Sequence, residues 1–291
     1  MQRYTINDFN RDYPDDDACL ERLKSRRYPD GSPCEKCNRE TNYYRDADRK
    51  SYSCQWCGHH VHPTAGTIFH KSATPLRLWF YAVFLMAQTR CGISAKQLER
   101  ELGVTYKTAW RMFNLIRSML QDDDDEPLSG TVEMDETYVG GKRRGDKRGR
   151  PSEDSHKTPV FGMAQRQGRV IAKTVPNAKR ATLMPHVRSK VLPESVVYTD
   201  EFTVYDRLNR DGYRHSRVHH AEKIYVAGDV HTNTIEGFWS LVKRGIGGVY
   251  HSVSSKHLQG YLDEYVFRYN HRKDDQPMFL TMMSRVSVAG D

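Results

Sequence analysis

Two Cys-x-x-Cys pairs, Cys34-Glu-Lys-Cys37 and Cys54-Gln-Trp-Cys57, restrict most sharply what this chain can fold into. Each pair sits in a tight turn that aims two sulfurs at one point. Two such turns complete a tetrahedral thiolate site of the kind that suits Zn²⁺. The stretch between them, YYRDADRKSYSC, alternates like a small β-hairpin. A zinc ribbon over residues 31–70 is therefore expected. A hairpin of about 30 residues buries too little apolar surface to fold alone, so the metal would supply the folding free energy. His59, His60 and His62 stand near enough to substitute as a ligand, but the four cysteines suffice and exposed loop histidines are the plainer reading. Cys19 and Cys91 stand alone and read as core thiols.

A chain of 291 residues has room for one large or two to three small domains. Its net charge of +8 favours a polyanionic partner, nucleic acid before membrane. The N-terminus, MQRYTINDFNRDYPDDD, has no apolar h-region, and the longest apolar run, Leu78 to Ala87, is too short to span a bilayer. A cytoplasmic, nucleoid-associated protein with no membrane partner is expected. In that compartment cysteines serve as metal ligands or core residues rather than disulfides.

Taken in order, residues 1–30 read as a helical lead-in, with TINDF as a cap and first turn. Residues 71–121 read as a helical DNA-binding domain. Pro75 opens the apolar helix LRLWFYAVFLMAQ. Ser94 then caps a helix through Glu101, Gly103 makes a turn and Thr105 caps a further helix. With Ala95, Leu98, Val104, Ala109 and Trp110 inward, this resembles a helix-turn-helix, which would send Tyr106, Lys107 and Arg111 to DNA; an ordinary helical hairpin is the alternative. Residues 122–129, with four consecutive aspartates and Pro127, read as an acidic linker. From 130 to 291 the pattern is α/β. TVEMDETYVGG is a strand, and Lys142, Arg143, Arg144, Lys147 and Arg148 fall in a basic, glycine-containing loop suited to phosphates. VFGMAQRQGRVIAKTVPN is a hairpin turning at Gln167-Gly168. Ala181 to Leu192 is a helix, SVVYTD a strand, FTVYDRLNRDG a helix ending at Gly212, and YRHSRVHH a strand. Helices over 231–251 and from Ser255 to about Arg272 close the set. Three strands, helix, strand, helix, strand, helix resembles the ribonuclease H-like fold.

The stretch HTNTIEGFWSLVKRGIGGVYH organises this region. Asn233, Glu236, Ser240 and Lys243 share one polar helix face, while Ile235, Phe238, Trp239, Leu241 and Val242 anchor it, and the helix closes in a break at Gly245, Gly247 and Gly248. Neighbouring strand ends would bring Asp135 and Asp200 to Glu236. Three carboxylates at one point repel unless cations lie between them. Two Mg²⁺ (or Mn²⁺) ions there serve phosphoryl transfer, and Lys243 would grip a phosphate. Each residue has a duller reading. Asp135 could end a strand, although a carboxylate in an apolar strand is costly. Asp200 could cap the next helix, Asn233 and Glu236 could form a capping box, and Lys243 could be a surface lysine. Glu133, Glu222 and Asp229 are competing third carboxylates, and His231 could orient a ligand, contact DNA or sit in a loop.

VEMDETYVGGK, VVYTDEFTVY, HTNTIEGFWSLVKRGIGGVYH and HLQGYLDEYVFRYNHR closely resemble the ISXO-two-like branch of bacterial insertion-sequence transposases (the insertion sequence fifteen-ninety-five family). The segments CEKC, CQWC, TAGTIFH and GISAKQLERELGVTYKTAWRM resemble the zinc ribbon and helix-turn-helix of the same proteins, so the resemblance runs from about Pro33 to Arg272. It implies a DDE transposase whose acids fall on Asp135, Asp200 and Glu236 and whose lysine falls on Lys243. Such an enzyme would bind terminal inverted repeats, cleave to expose a 3′-OH and transfer that strand to target DNA, as a homo-oligomer on the DNA. The rival is a zinc-ribbon and helix-turn-helix regulator with a non-catalytic C-terminal dimerisation domain. Binding through basic side chains releases counterions, so DNA affinity should fall steeply between about 50 mM and 200 mM salt. A flat affinity over that range in a filter-binding or anisotropy titration would remove the basis for the basic-loop reading.

Overall fold

The computed structural model describes residues 3–47, 49–121, 126–140, 157–218 and 230–286. The chain divides into two units, Met1–Met119 with Asp274–Asp291, and Leu120–Lys273.

In the first unit, α1 (Ile6–Asp12) opens on a capping box in which Thr5 and Asp8 exchange hydrogen bonds, and Asp15 caps α2 (Asp16–Arg27). These helices are more than a lead-in. Phe9 is fully buried among the rings of Tyr13, Tyr81, Phe84 and Phe279. The ribbon follows as the antiparallel pair β1 (Ser32–Pro33) and β2 (Glu40–Thr41), then a three-stranded antiparallel sheet of β3 (Tyr43–Arg45), β4 (Tyr52–Cys54) and β5 (His60–Val61). Helix α3 (Leu76–Gln88) starts after Pro75 and buries Trp79, Phe80, Val83 and Phe84. Ser94 caps α4 (Ala95–Leu102), which ends at Gly103 with a φ of 63°, a left-handed turn that glycine takes without strain. Thr105 caps α5 (Tyr106–Ser118).

Two expectations need correcting here. Cys91 is only partly buried, unlike Cys19, because it lies in the connection between α3 and α4 rather than inside a helix. The segment after Lys273 does not close the α/β domain. It forms α9 (Met278–Ser284), which belongs to the first unit and packs on α3, with Phe279, Met282 and Met283 buried.

The second unit is built on a five-stranded mixed sheet of β6 (Thr131–Val139), β7 (Thr158–Gln165), β8 (Val170–Thr174), β9 (Val196–Thr199) and β10 (Arg214–Arg217), in the order β10-β9-β6-β7-β8. β6, β7 and β8 are antiparallel neighbours, and β9 and β10 join the other edge of β6 in parallel. Alternation in β6 serves two cores. Val132 and Met134 join Phe161, Met163, Leu183, Met184 and Val187 under α6 (Arg180–Lys190). Val139 joins Val160, Ala164 and the apolar side of α7 (Asn233–Gly245) and α8 (Ser255–Asn270) on the opposite face.

Residues 202–212 are not the α-helix expected of them. They form two 3₁₀ turns, Thr203–Tyr205 and Leu208–Asp211; the Asp200 side chain accepts from the Phe202 amide before the first, and the Asn209 side chain in the second accepts from the His215 amide in β10. Nor does the chain break at Gly245. It continues as a π-helical turn, Ile246–Tyr250, and stops at His251. No helix among the described residues is long and apolar enough to cross a membrane.

Phe279 ties α9 to the ring cluster of the first unit. Truncating it, Phe279→Ala, should destabilise that unit by about 3 kcal/mol. Residue-resolved hydrogen exchange under native conditions should show the loss in α1 and α3 but not in β6 and β7. Loss in β6 and β7 instead would show that α9 is wrongly assigned to the first unit.

Candidate active site and metal-binding groups

Among the described residues, the ligand atoms of Cys34, Cys37, Cys54 and Cys57 all lie within 4.8 Å of one another. The sulfurs of Cys34 and Cys57 are 3.8 Å apart and those of Cys37 and Cys54 3.9 Å. Those distances are far too long for a disulfide. They fit the edges of a tetrahedron about one metal at the Zn–S distance, roughly 3.8 Å. Burial would raise the Cys54 thiol, yet hydrogen bonds from Thr41 and from the amides of Cys57 and Trp56, with the neighbouring Cys34, bring it down to about 6. The histidines stay out of this group, and His60 instead pairs with Asp46 at 3.0 Å.

The second cluster is acidic. In the parallel pairing of β6 with β9, Met134 stands opposite Thr199, so the next residues, Asp135 and Asp200, are side by side. Burial pushes the Asp135 carboxyl up to about 7, helped by the like charges of Glu136, Asp200 and Glu236. An ionised carboxylate is thus penalised at this point, and a divalent cation would relieve that penalty. The oxygens of Asp135, Asp200 and Glu236 are nevertheless not drawn into a group as tight as that of the four sulfurs.

Helix α7 carries Glu236. The polar face reads as expected, with Asn233, Glu236, Ser240 and Lys243 exposed. Its start does not. Thr232, not Asn233, is the N-cap residue, and no side chain of the helix caps it. The capping box is therefore absent. The Thr232 hydroxyl donates to Glu236 Oε1 at 2.7 Å instead. The amides of Thr234 and Ile235 donate to Glu133 Oε2 at 2.7 and 3.0 Å, and the Thr234 hydroxyl donates to Glu133 Oε1 at 3.0 Å. Arg166 Nε donates to the same Oε1 at 2.8 Å, and its other nitrogen Nη2 reaches the His231 carbonyl at 2.9 Å.

Glu133 is 0 % exposed. Its oxygens accept from α7 and from Arg166. Asp200 does act partly as a local cap, accepting from the amide of Phe202 at 3.0 Å. Gly162 lies opposite Asp135 in β7. A Cβ there would come within 2.3 Å of the Trp239 ring, so the missing side chain is what lets α7 lie against the sheet beside Asp135.

Several contributors escaped the sequence reading. Glu136 points to the α6 side and accepts from the buried Tyr205 hydroxyl at 2.8 Å. Arg166 gave no signal, since its partner Glu133 lies far back in the chain, and Thr232, which bonds Glu236 one turn on, was passed over. Glu133 did give one, as a carboxylate in an apolar strand on the face of Asp135. Of the residues expected to meet DNA, Tyr106, Lys107 and Arg111 are exposed on α5. Lys142, Arg143, Arg144, Lys147 and Arg148 lie outside the described residues, as do the competing acids Glu222 and Asp229.

Two family models match the chain: an ISXO2-like transposase domain over residues 127–270 and a transposase zinc-ribbon domain over residues 14–60. A protein of the transposable element ISH50 in Halobacterium salinarum is 34% identical over 267 residues, covering 84% of this chain and 88% of the relative. A transposase-like protein of Haemophilus influenzae is 35% identical over 102 residues, covering 35% of this chain and 81% of the relative. Among solved structures, the Mos1 transposase paired-end complex with left transposon end matches with a TM-score of 0.30 and 11% identity, over 71% of this chain and 75% of that one. That likeness is too slight to build on.

The fit of Trp239 over Gly162 yields a direct test. Gly162→Ala should destabilise the second unit by about 2 kcal/mol through overpacking, measured by denaturant unfolding. A change under about 0.5 kcal/mol, the range of an uninvolved surface site, would mean that α7 does not press on β7.

Proposed function

The chain belongs to the family of ISXO2-like transposases, and from that premise we propose that it is a DDE transposase acting on the ends of an insertion sequence. The observation that carries this reading is the register that sets Asp135 beside Asp200, with the charge of Glu236 felt at Asp135 from α7. The order and polarity of the sheet, with helices on both faces, support a ribonuclease H-like domain. The capped pair α4 and α5, joined through Gly103, supports a helix-turn-helix that presents Tyr106, Lys107 and Arg111 to DNA beside the zinc ribbon.

Asp135, Asp200 and Glu236 would hold Mg²⁺ or Mn²⁺, for which carboxylate oxygens are the preferred donors. When bound, the metal supplies Lewis-acid activation of an oxygen nucleophile and neutralises charge building at phosphorus. The protein's own groups do the rest. Lys243, two turns along α7 from Glu236, binds a phosphate oxygen and orients the scissile group. Thr232 holds one oxygen of Glu236 and fixes the direction of its carboxylate. Two in-line displacements then run at one site. In the first, a water oxygen bonds to phosphorus, the water gives up a proton, and the strand's 3′-oxygen leaves as a hydroxyl. In the second, that 3′-OH loses its proton as its oxygen bonds to a target phosphorus, and the target's own 3′-oxygen takes up a proton and leaves as a hydroxyl. The terminal inverted repeats and the target DNA are the partners. Two ends must be handled together, so a homo-oligomer assembles on them.

Strand transfer in vitro with precut element ends and Mg²⁺ tests this. The wild type should join ends to target, and Asp200→Ala should lose joining by at least about a thousandfold, as for removal of a metal-dependent catalytic group, while keeping end binding. End binding without chemistry in either protein, in Mg²⁺ and in Mn²⁺, would instead make the chain a DNA-binding regulator.

A further inference from the structure

The apolar side of α7 rests on the sheet through Ile235, Phe238, Trp239 and Val242. Apolar contact of this kind is non-directional, so it holds a helix down without fixing its rotation or its position along the strand. Directional bonds must do that, and one group supplies them. Glu133, fully buried on β6 two residues before Asp135, accepts from the amides of Thr234 and Ile235, from the Thr234 hydroxyl and from Arg166. Arg166 is itself anchored: its amide donates to the Thr131 carbonyl, its side chain donates to the His231 carbonyl, and its guanidinium lies 4.7 Å from the centroid of the Tyr198 ring on β9. His231 Nδ1 stands 3.4 Å from the same carboxylate. The backbone amides that an N-cap side chain of α7 would normally satisfy are thus satisfied from a strand about a hundred residues earlier in the chain.

A buried ion pair is a poor way to gain stability, because apolar residues of similar volume do as well or better. What it supplies is geometry. We propose that Glu133 is a positioning residue for the metal-binding acids: with Arg166 it brackets the first turn of α7 against β6, and with Thr232 it sets where the Glu236 carboxylate stands relative to Asp135. This rests on the transposase reading of the acids. Glu133 touches neither metal nor DNA in it. Asp135 and Glu133 share one strand and one face, so the strand that carries the first acid also fixes the helix that carries the third.

The full-length protein can be tested with Mn²⁺ alone, counted by electron paramagnetic resonance as the sites lost in Asp200→Ala. Glu133→Gln should raise exchange at the Thr234 and Ile235 amides and weaken those Mn²⁺ sites by about tenfold, as expected for a group that orients metal ligands. Thr232→Val, which removes only the hydroxyl on Glu236, should weaken Mn²⁺ binding without changing exchange at Thr234 and Ile235. Leu183→Ala, on the α6 face, serves as a destabilised control and should leave Mn²⁺ affinity unchanged below its melting temperature. Retained wild-type Mn²⁺ affinity in both Glu133→Gln and Thr232→Val would overturn the positioning role. Absence of any Asp200-dependent Mn²⁺ site in the wild type would overturn the transposase reading itself.

Discussion

A buried carboxylate bonded to the backbone amides of another element does what apolar packing cannot: it fixes register. In this protein that carboxylate is Glu133 under the first turn of α7. The placement of the helix that brings the third acid follows from it. Asp135 is placed by its own strand and Asp200 by the parallel pairing of β9 with β6, both consequences of backbone hydrogen bonding. Glu236 belongs to a helix with no backbone-to-backbone bond to the sheet among the described residues. Its position depends on side chains alone, on the apolar seam for height and on Glu133 for rotation and translation. The close approach at Gly162 then removes the slack, since Trp239 occupies the space in which any Cβ would stand.

The two faces of the sheet carry different burdens. On the α7 face β6 alternates acid with space for a helix, Glu133 then Asp135. On the α6 face it alternates apolar residues with Glu136, which the Tyr205 hydroxyl satisfies. Glu136 nevertheless adds to the like charge that raises Asp135. A strand that places carboxylates at 133, 135 and 136 would be unstable as a plain core strand. It is tolerated because Glu133 has donors on both oxygens, Glu136 has the Tyr205 hydroxyl, and Asp135 stands beside Asp200 at parallel strand ends. The charge at Asp135 stands where a cation can use it, and the other two carboxylates are held by donors.

What could be read from the sequence was what is decided locally. The caps at Thr5, Ser94 and Thr105 act within three residues of themselves, and each falls where the residue pattern put it. The cysteine pairs are equally local, two turns that need only meet once. Strand alternation showed Asp135 and Asp200 as acids out of place in apolar runs. Contacts across the chain were not legible. Nothing near Glu133 in sequence tells of Arg166 or Thr234, so the alternative weighed for the start of α7 was a local one, a capping box of Asn233 with Glu236. The region after Asp200 was misread for a related reason. Its apolar spacing is helical, but the segment is two 3₁₀ turns, tied through Asn209 to the amide of His215 in the next strand, a contact the spacing does not show. The glycines after Lys243 were read as a break. Gly247 and Gly248 are exposed, with open space where a Cβ would stand, and the chain passes through them as a π turn while Ile246 stays buried.

The C-terminus shows the same limit at a larger scale. Composition after Lys273 gives no reason to leave the α/β domain, since MFLTMM would serve any core. The deciding partner is the ring cluster around Phe9, Tyr13 and Phe84, drawn from the first and third helices of the chain. Phe279 enters that cluster, Tyr4 stacks on it at 5.1 Å, and Arg26 donates to the Met283 carbonyl at 2.8 Å. The first unit is therefore assembled from both ends of the chain, and the second is an insertion between them. Because the last piece of the first core follows the whole α/β unit in the chain, that core cannot be completed until the α/β unit has been made. The ribbon within it, held by four sulfurs close in sequence, has no such dependence: its cysteines can gather around a metal before α9 exists.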